Sequence, residues 1–574
     1  MSNLRSSEWF SGDDEVALSH RVVMASIGHE IDVNNSKPII GIADSSSDLN
    51  PCNLPLRAFI PEIERGIIEA GGIPVVFPVM SLGEDLMKPS AMLYRNMLSM
   101  EVEEYLRSYP LDGVVLLANC DKSVPGALMG AISTDLPTIM FTAGARPVAE
   151  FRGKPIGTGT DLWRMWSDYR AKKISEEQWK EFEGCLNCGL GSCNTMGTAS
   201  SVAMMVEALG LSLPGTSVIP ENDPARKVVA FDSGREIVKM VNEEIIPSKI
   251  LTPAAFRNAM RVLHACGGST NAIIHLLAIS GRIDGGLTLS AINELGTGLA
   301  VIADVEPSGA KLIQDFNQAG GLPALIANCG EAFELDEQTL IGKSWREIVK
   351  GVVVKNKTIR TLEDPIYPAA AFAVVKGNLA PNGAVIKVSA ASEDLLSHTG
   401  PAVVFHGYAD MRTRIDDPTL NITKDSVLVL RDCGPVGVPG MPEWGMIPVP
   451  KNLIEAGVTD MVRISDARMS GTSFGTCVLH VSPESAIGGP LALIQDGDQI
   501  KLDVNSASLE LLVSETELEA RRAKWQAPVS KHLRGWPALY QSHVMQADLG
   551  CDLDFLRPNS KIERKFVPPV VGRS

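Results

Sequence analysis

Three cysteines of this chain stand where a thiolate could act as a ligand. Cys52 lies in Asp48-Leu49-Asn50-Pro51-Cys52-Asn53, after an apolar run and before a helix-like stretch. Cys120 lies in Asn119-Cys120-Asp121-Lys122, directly after the run Leu111 to Ala118. Cys193 lies in Gly191-Ser192-Cys193-Asn194-Thr195-Met196-Gly197, ahead of another helix. In parallel α/β sheets ligands collect beyond the carboxyl ends of the strands, and helix N-termini there stabilise thiolate. Three thiolates meeting at one point suit an iron–sulfur cluster, with one iron left open to a substrate oxygen. Any one of them taken alone reads as the small buried hydrophobe that a free cysteine usually is. Cys185, Cys188 and Cys193 also make a C-x2-C-x4-C run with metal-ligand spacing, but no further Cys or His follows nearby to complete a structural site.

Carboxylates near these cysteines point to a second metal. Asp121 follows Cys120. Glu84 and Asp85 follow the run that ends at Val79, and Glu443 follows the Gly-Pro-rich stretch Pro435 to Pro442. Oxygen ligands of this kind suit Mg²⁺, although a loop acid is ordinarily just solvated. Lys122 is an odd neighbour, because an ammonium repels Mg²⁺; it fits as a counter-charge, or as a ligand if carbamylation makes it anionic. Ser470, in Ser465-Asp466-Ala467-Arg468-Met469-Ser470-Gly471-Thr472, is a candidate base. An isolated serine is a poor base, but a nearby metal depresses the pKa of a hydroxyl. No His–Asp pair suggests a hydrolase triad, and the alternative is a capping serine in a turn. Gly267-Gly268-Ser269-Thr270-Asn271 opens a helix whose free N–H groups could hold a carboxylate or phosphate; otherwise it is a Ser-capped helix start. It matches neither a dinucleotide fingerprint nor a P-loop.

The elements that must position these residues change character along the chain. Lys37–Ala43, Ile73–Val79 and Leu111–Ala118 read as buried strands; Leu56–Ala70 and Glu101–Ser108 read as helices between them. This alternation predicts an α/β domain with a largely parallel sheet. Thr198–Leu209 and Thr270–Ile279 are apolar on a helical period. From Ala373 onward short strand-like runs dominate, among them Ala384–Val388, Ala402–Phe405 and Ser426–Leu430, which predicts a mostly β, barrel-like domain. The expected division is 1–370 and 371–574, with a linker around Asp364–Pro368. A chain of 574 residues is long enough for two cores. Its net charge of −16 and 5% aromatic content argue against nucleic acid as a partner. No secretory start and no membrane-length apolar run is seen, so a cytoplasmic protein with reduced cysteines is expected.

Taken together, the segments Asn50–Asn53, Asn119–Lys122, Gly191–Ala199, Gly267–Asn271, Cys433–Glu443 and Ser465–Thr472 resemble the dihydroxy-acid and sugar-acid dehydratase family, in the family's order. The resemblance implies an active site between an N-terminal α/β domain and a C-terminal β-barrel. It implies a [2Fe–2S] cluster on Cys52, Cys120 and Cys193, with [4Fe–4S] as the alternative. It places Mg²⁺ among Glu84, Asp121, a carbamylated Lys122 and Glu443, and makes Ser470 the base. Ser269, Thr270 and Thr472 are expected at the substrate, and a homodimer or homotetramer is expected. Leu4–Phe10 and Gly157–Trp163 are similar to pentonate dehydratases acting on arabinonate or xylonate, which implies dehydration of a sugar acid to a 2-keto-3-deoxy acid. The alternative within the family is the dihydroxy-acid dehydratase of branched-chain amino-acid synthesis. An iron–sulfur redox protein, from another class, would need the cysteines but neither the carboxylates nor Ser470.

Overall fold

Apolar runs in the first quarter of the chain become one parallel sheet in the computed structural model, which describes residues 4–186, 189–283 and 285–558. Strands β1 (Ile39–Asp44), β2 (Ile73–Pro78), β3 (Gly113–Leu117) and β4 (Thr138–Phe141) lie in the order β2-β1-β3-β4, every pair parallel. β3 is buried along its whole length and β1 nearly so. Strands covered on both faces show continuous apolar runs rather than alternation, which is why these were readable. The helices Ile60–Glu69 and Ala225–Asn242 pack tightly on one another. A Cβ on Gly66 would sit 2.1 Å from the Phe231 carbonyl oxygen, and one on Gly234 would sit 2.2 Å from that of Ile63. Only glycine permits that approach.

The helix expected over Leu56–Ala70 is divided into a 3-10 turn, Leu54–Ala58, and the α-helix Ile60–Glu69. Pro61, with no N–H and a fixed φ, starts the second piece. The strand–helix alternation also ends sooner than expected. After β4 comes a small hairpin, β5 (Ala149–Phe151) with β6 (Lys154–Ile156), and then mainly helices. Thr198–Ala208 is buried at every position and Thr270–Arg282 at all but one. A helix apolar on all sides is an interior helix. Among the described residues no helix is long and apolar enough to cross a membrane.

The later strands are β7 (Phe372–Val375), β8 (Gly383–Lys387), β9 (Ser397–His406), β10 (Val427–Arg431), β11 (Arg463–Ser465), β12 (Cys477–Ser482), β13 (Gln499–Asp503) and β14 (Ser508–Leu511). They form one mixed sheet in the order β14-β13-β9-β10-β11-β12-β8-β7. The run β9-β10-β11-β12 is parallel and the flanking pairs are antiparallel. Lys376 bonds to Ala507 and Leu509 across the two end strands, so the sheet is nearly closed. Its interior is filled by Val375, Ile386, Val404, Val429, Ile464, Val478, Ile500 and Leu509. The C-terminal segment then returns to the first sheet's helices. Arg95 donates to the carbonyls of Gly550 and Cys551, and wholly buried Arg282 pairs with wholly buried Asp552 at 2.6 Å.

Candidate metal centre and active site

The strand order places the cysteines before any side chain is considered. From β1 the chain crosses to β2 on one side, and β3 lies on the other. The crevice between the carboxyl ends of β1 and β3 is therefore the switch point, where ligands bind in such sheets. Cys52 follows β1 and Cys120 follows β3. Asn53 fastens the two loops: its Oδ1 accepts from Cys120 N at 2.8 Å and Asn119 N at 3.1 Å, while its Nδ2 donates to Ser45 and Ser123 hydroxyls. Gly191 N donates to Pro51 O at 3.0 Å, joining the Cys193 loop to the Cys52 loop.

The thiols converge as the backbone does. The Cys52 thiol lies near Cys120, and its influence together with burial pushes the Cys120 pKa well up. Burial pushes the Cys193 thiol up to about 12, and Cys52, Asp85 and Asp121 lie near enough to add to the effect. Cys120 and Cys193, held protonated chiefly by burial and neighbouring groups, are thiols that a bound cationic centre would deprotonate. Cys185 stands apart in chain position, on the helix Glu176–Leu186, and Cys188 lies outside the described residues.

The expected carboxylates also meet. Oxygens of Glu84, Asp121 and Glu443 all lie within 4.8 Å of one another. Asp85 is exposed and is not one of them. Lys122 Nζ, wholly buried, sits among the three acids: 2.5 Å from Asp121, 2.9 Å from Glu443 and 3.2 Å from Glu84. Burial alone would lower the Lys122 pKa, but the three carboxylates outweigh it and hold it above the ordinary lysine value. Burial raises the Glu443 pKa; Lys122 and Arg468 overcome this and bring it down to about 2. At Glu84 the balance goes the other way, and burial with the neighbouring acids raises its pKa. Cys120 Sγ is 3.4 Å from Asp121 Oδ1, so thiols and carboxylates adjoin.

Two residues that sequence reading did not single out organise this group. Arg468 donates to Glu443 Oε1 at 2.9 Å and to Ser90 Oγ at 2.9 Å, and Ser90 in turn donates to Glu84 at 2.8 Å. Asn271 Nδ2 donates to Glu443 Oε1 at 2.7 Å and to Met469 O at 3.0 Å. The available hint was that Arg468 is the lone cation of the Ser465–Thr472 stretch. Glu84 Oε2 has the Lys122 ion pair but makes no hydrogen bond, and buried Asn271 Oδ1 has no partner either. Buried polar atoms are normally satisfied, so open acceptors beside three carboxylates fit a cation.

Ser470 arrives from the other sheet. Its loop joins β11 to β12, while Glu443 follows β10, so both leave the carboxyl side of the parallel barrel strands. Gly471 seats the loop: a Cβ there would lie 2.6 Å from Thr198 N and 2.7 Å from Ser269 Oγ. Ser269 is the cap of the helix Thr270–Arg282, its Oγ accepting from Asn271 N and lying 2.9 Å from Thr198 Oγ1. Ser269 thus caps this helix start. Thr270 is buried and its hydroxyl has no partner. Ser470 Oγ lies 3.0 Å from Thr472 Oγ1. A Cβ on Gly197 would meet Thr472 Cγ2 at 3.1 Å and Cys193 Cβ at 3.9 Å, so the serine loop and the third cysteine share a wall. Thiols, carboxylates and a candidate base are together in one place, an arrangement able to hold a cation and move a proton.

Comparison with known proteins agrees with this geometry. Residues 37–348 match the family model of the dihydroxy-acid/6-phosphogluconate dehydratase N-terminal domain, and residues 357–551 match that of the C-terminal domain. The chain is 45% identical to the L-arabinonate dehydratase of Rhizobium leguminosarum bv. trifolii, with 96% of each chain covered. It is 44% identical to the 6-deoxy-6-sulfo-D-gluconate dehydratase of Pseudomonas putida, with 99% of each covered. It is 35% identical to the dihydroxy-acid dehydratase of Methanobrevibacter smithii, over 93% of this chain and 97% of that one.

Proposed function

Because the chain belongs to the dihydroxy-acid/6-phosphogluconate dehydratase family, we propose that it dehydrates a 2,3-dihydroxy sugar acid, an aldonate such as arabinonate or xylonate, to the 2-keto-3-deoxy acid. The L-arabinonate and 6-deoxy-6-sulfo-D-gluconate dehydratases support this reading, at 45% and 44% identity against 35% for the dihydroxy-acid enzyme. The observation that carries it is the convergence of Glu84, Asp121 and Glu443 beside the Ser470 loop and the thiols.

The residues fit both cofactors. Cys52, Cys120 and Cys193 would hold a [2Fe–2S] cluster, with [4Fe–4S] the alternative; Glu84, Asp121, Glu443 and a carbamylated Lys122 would hold Mg²⁺. When bound, these groups supply Lewis acidity toward the substrate oxygens and stabilise negative charge developing beside the carboxylate. The protein's own part is proton transfer and positioning. Ser470 Oγ, as alkoxide, takes the proton from C2. The C–H electron pair becomes the C2–C3 π bond as the C3–O bond breaks. The departing hydroxide takes the proton from Ser470 and leaves as water, which restores the alkoxide. The enol then tautomerises to the keto acid. Arg468 and Asn271 keep Glu443 in place.

The test is 2-keto acid formation by anaerobically purified protein with Mg²⁺, against four- to six-carbon aldonates and 2,3-dihydroxyisovalerate. Preference for a pentonate or hexonate is expected; preference for dihydroxyisovalerate would move the chain to the biosynthetic branch. Ser470→Ala should keep the cluster absorbance and lose turnover, and Cys120→Ser should lose the absorbance. Turnover near wild type in the first variant refutes the base, and a full cluster in the second removes Cys120 from the ligands.

A further inference from the structure

We propose that Trp163 is a positioning residue for proton abstraction, acting through Thr472 to make Ser470 Oγ a hydrogen-bond acceptor. The proposal rests on the reading of Ser470 as the base. Trp163 lies on the helix Thr160–Arg170, at the end of the Gly157–Trp163 stretch. Its indole Nε1 is 3.2 Å from Thr472 Oγ1. An indole N–H can only donate, so the Thr472 hydroxyl accepts at that contact. Thr472 then has a single hydrogen left to give, and Ser470 Oγ is 3.0 Å away.

By distance alone, either hydroxyl of the Ser470–Thr472 pair could donate. Trp163 breaks the symmetry. With one Thr472 lone pair already engaged by the indole, donation from Thr472 to Ser470 lets all three groups bond in one direction, each bond polarising the next. The Thr472 backbone N–H adds a longer contact to the same Ser470 oxygen at 3.4 Å. Hydrogen bonds to the ionised form favour that form, so the chain Trp163→Thr472→Ser470 favours the alkoxide. The seryl hydrogen is left out of this pair and can be given to the departing hydroxide.

The surroundings hold the relay still. Thr160 Oγ1 donates to Thr472 O at 3.0 Å, from the first residue of the helix that carries Trp163. Gly159 packs so closely that a Cβ would lie 2.5 Å from Thr472 Oγ1. Arg164, the next residue, is paired with Glu306 at 2.7 Å and Asp161 at 3.2 Å, so its charge is balanced locally.

The test is a double-mutant cycle in the cluster- and Mg²⁺-loaded enzyme, with kcat, KM and the isotope effect of C2-deuterated substrate as readouts. Trp163→Phe keeps a ring in place. It should lower kcat about tenfold, the size of one hydrogen bond's net contribution, with KM within about twofold. The isotope effect on kcat should rise, because only proton removal is slowed; a loosened structure would not move it. In a Thr472→Val background, adding Trp163→Phe should cost nothing more. In a Thr472→Ser background, which keeps the hydroxyl, the full response should return. Trp163→His, whose ring can donate, should retain more kcat than Trp163→Phe. The proposal is overturned by wild-type kcat in Trp163→Phe, by a rise in KM with kcat unchanged, or by an undiminished further loss in the Thr472→Val background. Ser470→Ala separates the two levels: activity there removes the base itself, whereas an inactive Ser470→Ala with an additive cycle removes only Trp163.

Discussion

Gly471→Ala is the sharpest steric test of how the serine loop is placed. An alanine Cβ at this position would stand 2.6 Å from Thr198 N, where ordinary contact begins at 3.4 Å. About 0.8 Å of movement is therefore needed, the difference of those two distances. Thr198 begins a helix buried at every position, so its backbone cannot retreat. Ser269 Oγ, 2.7 Å from the same Cβ, is held by Thr198 Oγ1 and Asn271 N. The Ser470 loop is the side that must yield. Gly471 has no left-handed φ, so alanine adds no backbone strain and the effect is steric alone. Overpacking of this kind costs about 1–3 kcal/mol. A displacement near 1 Å at a reacting group costs on the order of 100-fold in rate. The expectation is thus a fall in kcat/KM approaching 100-fold in a protein that still folds and keeps its cluster absorbance. Gly184→Ala is the control: nothing lies within 4 Å of its Cβ, and activity should be unchanged. Wild-type kcat/KM in Gly471→Ala would refute the seating of the serine loop on the two helix starts.

Replacing the Lys122 ammonium by a carbamate and one Mg²⁺ leaves the charge of the carboxylate group unchanged, because the two negative units gained are cancelled by the metal. Mg²⁺ affinity by calorimetry should therefore rise with dissolved CO₂, and Lys122→Met should lose that dependence; CO₂-independent binding by the unaltered protein would retire the carbamate. Glu484 is buried, and burial with Asp466 nearby pushes its pKa up to about 7 from an ordinary 4.5. A raised folded pKa means stability that is full below about pH 4.5 and lost as pH rises through 7, by up to about 3 kcal/mol. Glu484→Gln should flatten that slope in urea midpoints measured across the window, and an unchanged slope would place the titration elsewhere. Asp552→Ala would take from wholly buried Arg282 its closest partner and leave it only the ion pair with Glu103 at 3.5 Å, at a cost of about 3 kcal/mol, and should lower the thermal midpoint more than removing the half-exposed Arg170–Asp416 pair.

How much of this was legible in the sequence follows from the range of the forces involved. Parallel strands such as β3 and interior helices such as Thr198–Ala208 announce themselves, because burial on every side writes continuous apolar residues into a short window. β13 and β14 alternate buried and less buried positions and left no such run. The cysteines and acids were found from their chemical types in short stretches. Arg468, Asn271 and Trp163 were not found as individuals, because each acts on a partner far along the chain: Arg468 on Ser90, Asn271 on Glu443, Trp163 on Thr472. Such bonds have no period and no spacing to read. The same distance explains why Asp85, beside Glu84 in sequence, is exposed: one residue of loop geometry decides which acid turns inward.

The electrostatics of the assembled group also constrain its chemistry. Glu84, Asp121 and Glu443 face two cations, Lys122 and Arg468, and both cations are already spent on those acids. With all five ionised, one negative charge is left over in a buried place. A sugar-acid carboxylate brought to that spot would meet repulsion in a medium where Coulomb forces are weakly screened. The chain's overall charge of −16 gives no help from a distance. A divalent cation held by the three carboxylates would reverse the sign locally and supply an anchor for the substrate that Lys122 and Arg468, spent on those acids, do not. Substrate binding, and not only the chemical step, should then depend on the metal in an enzyme of this family built around these residues.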